Sequence, residues 1–460
     1  MQQLMKVVLG VLIVGSAAGA TVTPDAAREL YKRISPSLVA VQYVLETELN
    51  RTELTGAGII VSEDGLVMAP MMMFPMQFPD SQMKEFKILV PREDGEPQEI
   101  DAVFQGRDQR SNTAFIKARE PQHWKPITFE QAKLDIGDTV LSVGMLPKAA
   151  NYKTYFTESA VSARLRGEIP QVLVTAGGLA SMGSPVFDSE GKAIGMVSPM
   201  GQNPLLNDQR SELMSVLNPP KFFIPTSYFQ ISLNDPPTAG KPLKLPWMGV
   251  AQMSGVNKDL ADAMGFGDEP AIQIGDVVPN GPAEKAGLKP GDFIVKVNGK
   301  PLERGDEPSE LPSILSRQLM RQHPGDNVTL SLVREKDQPV KEIQVTLGEQ
   351  PKQANLAKRY YADDLGFVVR ELVFYDVYNL KLPPDQKGVI VALLKPQGAA
   401  QSGGLKIGDV ITRLDNEPVT GVEQFQQAYK ELRKSKPNDA IVLEVRRGDR
   451  QDTVRIEPPR

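Results

Sequence analysis

GPAEKAGLKPGD (281–292) and GAAQSGGLKIGD (398–409) are two copies of one segment, identical at seven of twelve positions. The shared residues are Gly281/Gly398, Ala283/Ala400, Gly287/Gly404, Leu288/Leu405, Lys289/Lys406, Gly291/Gly408 and Asp292/Asp409. Their surroundings repeat as well. A β-rich run precedes each copy (IQIGDVV; GVIVALL) and another follows (FIVKVNG; VITRLDN). Then come a helical segment (PSILSRQLMRQ; VEQFQQAYKEL) and a final β-rich run (VTLSLVREK; AIVLEVRRG). A repeat of this length reads as two homologous α+β units, each about 100 residues long, an ordinary domain size. The units are placed at 247–350 and 351–460.

Working outward, the stretch SLNDPPTAGKPLKLP (232–246) is rich in proline, which stiffens and extends a chain. It marks an interdomain linker over 231–246. Upstream, residues 25–33 (DAARELYKR) suit a short helix. From Ser37 to about residue 230 the pattern is one of short β-rich runs (LVAVQYVLE, GAGIIVS, LVMAP, FKILVP, TAFIKA, TVLSVGM, QVLVTAG, SPVFD, AIGMVS) separated by turns such as Glu63-Asp64-Gly65 and Ser189-Glu190-Gly191. Many short strands with regular turns predict an all-β barrel or sandwich rather than alternating βα units.

The chain has 460 residues, more than one hydrophobic core accommodates, and an apolar share of 41% that suits a globular protein. Its net charge of −5 leaves no dominant basic surface, which speaks against a nucleic-acid partner. It has no cysteine, so disulfides, thiolate metal sites and thiol nucleophiles are excluded. The first twenty residues carry Lys6, an apolar stretch Val7 to Val14 and the small-residue site Ala18-Gly19-Ala20. This is the pattern of a cleaved secretory signal peptide at 1–20. No other segment is apolar over the ~20 residues of a membrane span.

The repeated segment, with the I-x-x-[VL]-[ND]-G motif that follows it, resembles the PDZ domain of bacterial HtrA/Deg-type proteases. The resemblance implies a module that takes an extended peptide as an added strand and holds its terminal carboxylate on the backbone N–H groups of a tight loop. That loop falls on Trp247-Met248-Gly249-Val250 in the first copy. In the second it falls on Asp364-Leu365-Gly366-Phe367, with Val368 next along the strand. The opposing helices are expected at Ser309–Gln322 and Val422–Leu432. Asp364 places a negative charge beside the second loop, so the first copy is the stronger peptide site.

The front region (21–230) resembles the trypsin-fold domain of the same HtrA/Deg family. GAGIIVSEDGLVMAP (56–70) is similar to the strands leading to the family's catalytic histidine, GRDQRSNTAFIK (106–117) to the aspartate segment, and ASMGSPVFDSEGKAIGMV (180–197) to the nucleophile loop. The fold this implies is multidomain and mainly β: a trypsin-like double β-barrel followed by two α+β PDZ domains. Carried over residue by residue, the histidine position falls on Met72 (within Met71-Met72-Met73), the aspartate position on Asn112 and the serine position on Met182. A thioether neither attacks a carbonyl nor takes a proton at neutral pH, and a triad needs both steps. Ala180 and Ser184 stand where the family has glycine, which also puts the oxyanion hole in doubt.

Three rival readings of these residues have less support. Ser181 and Ser184 flank Met182, but a Ser–Lys dyad finds no lysine in the loop and Lys192 lies past the next turn. The two histidines, His123 and His323, sit outside the motifs. The methionines 68, 71, 72, 73 and 76 are soft enough for Cu(I), yet they suit packing better. If Met72 and Met182 meet, they would plug the former cleft. No metal site and no cofactor are therefore expected.

The reading that results is an exported HtrA/Deg-like pseudoprotease. It would be a non-catalytic scaffold or chaperone-like protein of the periplasm or exterior that binds peptide C-termini or unfolded segments. Family resemblance implies a homo-oligomer (a trimer) or co-assembly with an active relative. The alternative is an active serine-type endopeptidase of periplasmic protein quality control.

Overall fold

The computed structural model of the protein describes residues 22–93, 95–167, 169–174, 178–198, 221–241 and 243–458. The expected signal segment 1–20 lies outside them. A helix, Pro24–Ile34, opens the described chain where one was expected, with the Thr23 hydroxyl accepting the Ala26 N–H and Leu30 and Ile34 buried.

Six strands close a first barrel, hydrogen-bonded in the order Leu38–Glu46, Arg51–Ile60, Leu66–Pro70, Thr113–Ala118, Gln98–Asp108, Met83–Val90 and back to the first. Six more close a second, in the order Pro185–Asp188, Ala193–Ser198, Lys221–Pro225, Gln171–Val174, Thr154–Leu165, Thr139–Met145. The β-rich runs become two barrels because successive side chains point to opposite faces, and here both faces are covered. In Leu38–Glu46, Val39, Val41, Tyr43 and Leu45 fill the first barrel, while Leu38 and Ala40 face outward into a second core. That second core is the seam between the barrels. Ile59, Met68 and Phe115 reach it from the first barrel and Leu141, Val143, Phe187, Met196 and Ile224 from the second. Phe229 joins them, edge-on to Phe129 at 5.1 Å.

The helix Thr226–Asn234 follows the last barrel strand, so residues 231–234 of the stretch read as linker complete a helix on the front domain. Its end is locked to the turn after Gln98–Asp108. Asp108, fully buried, accepts from Arg110 Nε (3.0 Å) and Nη2 (2.7 Å) and from the Ser232 hydroxyl (2.6 Å). Arg110 reaches on to Asp235 at 3.2 Å.

The two repeats form separate sheets with separate cores. Their shared Asp explains the repeated motif physically. Asp292 accepts the Lys289 N–H (2.9 Å) and pairs with Arg334 Nε (2.8 Å), whose Nη2 reaches the Gly287 carbonyl. Asp409 accepts the Lys406 N–H (2.8 Å) and pairs with Arg447 Nε (2.7 Å), whose Nη2 reaches the Gly404 carbonyl. Gly287 and Gly404, at φ +85° and +89°, turn the chain so that both carbonyls face the guanidinium. Among the described residues no helix is long and apolar enough to cross a membrane.

Removing one partner of a buried ion pair strands the other's charge, at a cost of about 3–5 kcal/mol. Asp108→Ala is expected to lower the unfolding transition of the front domain by that amount. Denaturant titration read by Trp124 fluorescence, in a Trp247→Phe background, measures it.

Candidate functional site

The three positions that the resemblance assigns to catalysis come together at the mouth of the seam. Pro70 ends a first-barrel strand, and Met71–Met73 form a single 3-10 turn. The Met71 N–H donates to the Asn112 carbonyl at 2.9 Å, tying the histidine-position turn to the aspartate-position turn. The Tyr43 hydroxyl donates to the Met73 carbonyl at 2.6 Å from inside the barrel. Phe74 then enters an aromatic group, 5.2 Å from both Tyr43 and Phe104. From the second barrel the loop Leu179–Ser184 closes on the same place: a Cβ on Gly183 would lie 2.8 Å from Pro70 Cγ.

The side chains at these three positions are two thioethers and an amide. Met72 is 55% exposed and Met182 is 38% exposed. Asn112, at φ +53°, uses its Nδ2 to donate to the Tyr228 hydroxyl at 3.2 Å. The expected methionine plug is corrected by these exposures: the short helical turn points Met72 outward, and Phe74 fills the barrel instead. Two of the other methionines join the cores. Met68 packs in the seam, while Met73 packs in the first barrel, where its Cε would lie 2.4 Å from a Cβ on Gly56.

By the motif, the Ala180 and Met182 N–H groups would face the developing charge. Ala180, buried, donates instead to the Ser142 hydroxyl at 2.8 Å. Ser142 also shares a hydrogen bond with Thr157 at 2.7 Å. Neither contact was visible in the sequence, because Ser142 lies on a strand 38 residues away and inside a wholly ordinary β run.

The other groups considered as nucleophile or base are placed as follows. The Ser181 and Ser184 hydroxyls are 3.2 Å apart, and Ser181 also contacts the Met145 backbone at 3.3 Å. Lys192 pairs with Glu190 at 2.8 Å on the far side of the turn. A lysine that the sequence reading missed, Lys221, comes near the loop, its Nζ donating to the Leu179 carbonyl at 2.8 Å. His123 is exposed in an irregular segment, and His323 lies beside Asp326 at 3.5 Å.

The two PDZ loops differ. Gly249 (φ +79°) turns the first loop, and the Gly249 and Met248 carbonyls accept from Val278 and Ala283 at 2.9 and 2.8 Å. The strand that follows, Val250–Gly255, ends its sheet and, among the described residues, pairs only with Ile272–Val277, which leaves its other edge without a strand. Met248 is buried and Val250 half-buried against the helix Leu311–Leu319. Trp247, read as a peptide contact, lies edge-on to Phe374 of the second copy at 5.6 Å. In the second copy, Leu365, Phe367 and Val368 are fully buried, and the Gly366 N–H already donates to the Ala362 carbonyl at 2.8 Å. Asp364 is held by the Tyr429 hydroxyl (2.6 Å) and Arg433 Nε (2.8 Å), so its charge is paired.

The barrels, the seam loops and the repeated modules define a trypsin-like peptidase domain with two PDZ domains. Family comparison agrees, matching a trypsin-like peptidase domain at 56–196 and PDZ domains at 273–334 and 364–457. The chain is an HtrA/DegP-like protein: a trypsin-like serine protease domain followed by two PDZ domains. Among curated relatives, a probable periplasmic serine endoprotease DegP-like of Brucella suis is 27% identical over 415 residues, covering 87% of this chain and 73% of the relative. Its namesake in Bartonella henselae is 26% identical over 443 residues, covering 93% and 79%. The solved HtrA-type protease AlgW with tripeptide shares the fold at a TM-score of 0.52 and 19% identity, covering 71% of this chain and 98% of that one.

Two outcomes follow from this geometry. Burial pushes the Tyr43 phenol from 10.0 up to about 12. Its neutral form stabilises the fold fully below about pH 10, and that contribution is lost as pH rises through about 12. The denaturation midpoint of the wild type should therefore fall relative to Tyr43→Phe between those pH values. In the first PDZ copy, Gly249→Ala would hold an L-residue in left-handed backbone, which costs about 1–2 kcal/mol. It would also set a Cβ 2.7 Å from Pro282 Cδ. A lowered unfolding transition of that module, read by Trp247 fluorescence in a Trp124→Phe background, is expected.

Proposed function

We propose that this protein is a non-cleaving DegP-like scaffold of the periplasm, which holds peptide C-termini or unfolded segments on its first PDZ module. What carries the reading is the chemistry of the side chains at the seam, two thioethers and an amide where proton transfer and nucleophilic attack are required. The Ala180 N–H spent on Ser142 supports it, because a donor directed elsewhere does not stabilise an oxyanion. The open edge of Val250–Gly255 beside the Gly249 turn supports strand addition by a peptide. The periplasmic location rests on the secretory pattern of residues 1–20 and on the description of the relatives. With the trypsin-like domain freed from catalysis, its role is assembly, with copies of itself or with an active relative.

A second reading, a serine endopeptidase of periplasmic protein quality control, is favoured by the names of those relatives and by the hydroxyl pair Ser181/Ser184 beside Lys221. Turnover of a fluorescently labelled unfolded protein separates the two. The wild type is expected to show none. Met72→His/Asn112→Asp/Met182→Ser together should still be inactive, or weaker by about 10²–10³ than the same variant carrying Ala180→Gly and Ser142→Ala, which release the oxyanion donor. Turnover by the wild type that is lost on Ser181→Ala would establish the second reading instead.

A further inference from the structure

The strand Arg359–Ala362 lies where a bound peptide would lie in the second PDZ copy. It runs antiparallel to Phe367–Glu371 in the register Arg359↔Arg370, Tyr360↔Val369, Tyr361↔Val368 and Ala362↔Phe367. The opposite edge of Phe367–Glu371 is taken by Val389–Leu394, so the strand is paired on both sides. In the first copy the corresponding edge carries no strand among the described residues, because the preceding segment Pro246–Trp247 pairs away with Gly348–Glu349.

Alternate residues of Arg359–Ala362 face the helix Val422–Ser435, as a PDZ ligand's do. The Tyr360 ring packs 6.0 Å from Phe425 and 5.9 Å from Tyr429, and Ala362 is buried. The Ala362 carbonyl accepts the Gly366 N–H at 2.8 Å, the kind of loop donor that would otherwise meet a peptide's terminal carboxylate. Ion pairs hold the N-terminal end. Lys358 pairs with Glu423 at the start of the helix, its carbonyl accepts the Glu371 N–H at 2.9 Å, and Arg359 Nε lies 3.2 Å from Glu48 of the front domain.

We infer that the second PDZ groove is occupied by an internal ligand, Arg359–Ala362, tethered to its own carboxylate loop by residues 363–366. The site is built for a segment ending in a small residue, with an aromatic residue two positions before it and a basic one before that. A tethered ligand acts at an effective concentration in the millimolar range, so a free peptide of ordinary affinity does not displace it. The second module is closed, and its strap is joined through Arg359 and Glu48 to the front domain.

Hydrogen exchange on the full chain tests this. In the wild type the Tyr360 and Ala362 amides, which the register sets against Val369 and Phe367 in the hydrogen-bonded phase, are expected to be protected as strongly as those of Phe367–Glu371; exchange at the rate of an exposed loop would overturn the inference. A strap variant, Arg359→Gly/Tyr360→Ser/Tyr361→Gly/Ala362→Ser, should lose protection on the freed edge of Phe367–Glu371. A peptide of residues 356–362 with a free C-terminus, added in trans, should restore it, while its amidated form should bind at least tenfold more weakly. If the variant module unfolds, the wild-type protection of Tyr360 and Ala362 decides alone. Failure of the peptide to restore protection in a variant that stays folded would overturn the assignment of the groove. None of these outcomes depends on whether the front domain cleaves.

Discussion

The seam between the barrels is the constraint on which the front domain depends. Strands such as Leu38–Glu46 are buried on both faces, one side filling a barrel and the other meeting the second barrel. Because Met68, Phe115 and Phe187 must meet across that plane, the turns at their strand ends are delivered to one place. Residues 71–73, 112 and 179–184 are therefore adjacent whatever side chains they carry. The convergence owes nothing to catalysis: it is set by apolar packing, by the Met71–Asn112 backbone bond and by the Asp108–Arg110–Ser232 lock. The fold therefore fixes the positions of these turns independently of the side chains they carry.

The same backbone accounting explains the differences among the potential binding surfaces. A strand edge or a loop N–H binds a partner only while it is unspent. Ala180 spends its donor on Ser142, and Gly366 spends its own on Ala362. Among the described residues no further strand pairs with the outer edge of Val250–Gly255, in a module whose Trp247 is also packed against Phe374 of the next.

Much of this was legible in the residues. The twelve-residue repeat located both PDZ modules, and its shared aspartate proved to be a buried partner of Arg334 and Arg447, which stand in the last β run of each copy. The β runs and turns marked the barrels, and the three motif positions were found together at the seam. What stayed hidden depends on contacts distant in sequence. Ser142 looks like any strand serine until the fold sets it under Ala180. Lys221 is remote from the nucleophile loop until the strand Lys221–Pro225 pairs with Gln171–Val174. The strand Arg359–Ala362 carried a local signal, two tyrosines ahead of Asp363-Asp364, but pairing propensity alone does not say which edge a strand will cover. The methionine plug failed for a local reason, since the 3-10 turn at Met71–Met73 turns Met72 to solvent.

The most direct measurement is labelling of the intact protein with a fluorophosphonate, which forms an adduct only with a serine activated as a nucleophile, followed by mass spectrometry of the whole chain and its peptides. The predicted result is no adduct under conditions that label an active trypsin-like protease to completion. A stoichiometric adduct on Ser181 or Ser184 would contradict the account, because the loop around Met182 would then hold a working nucleophile.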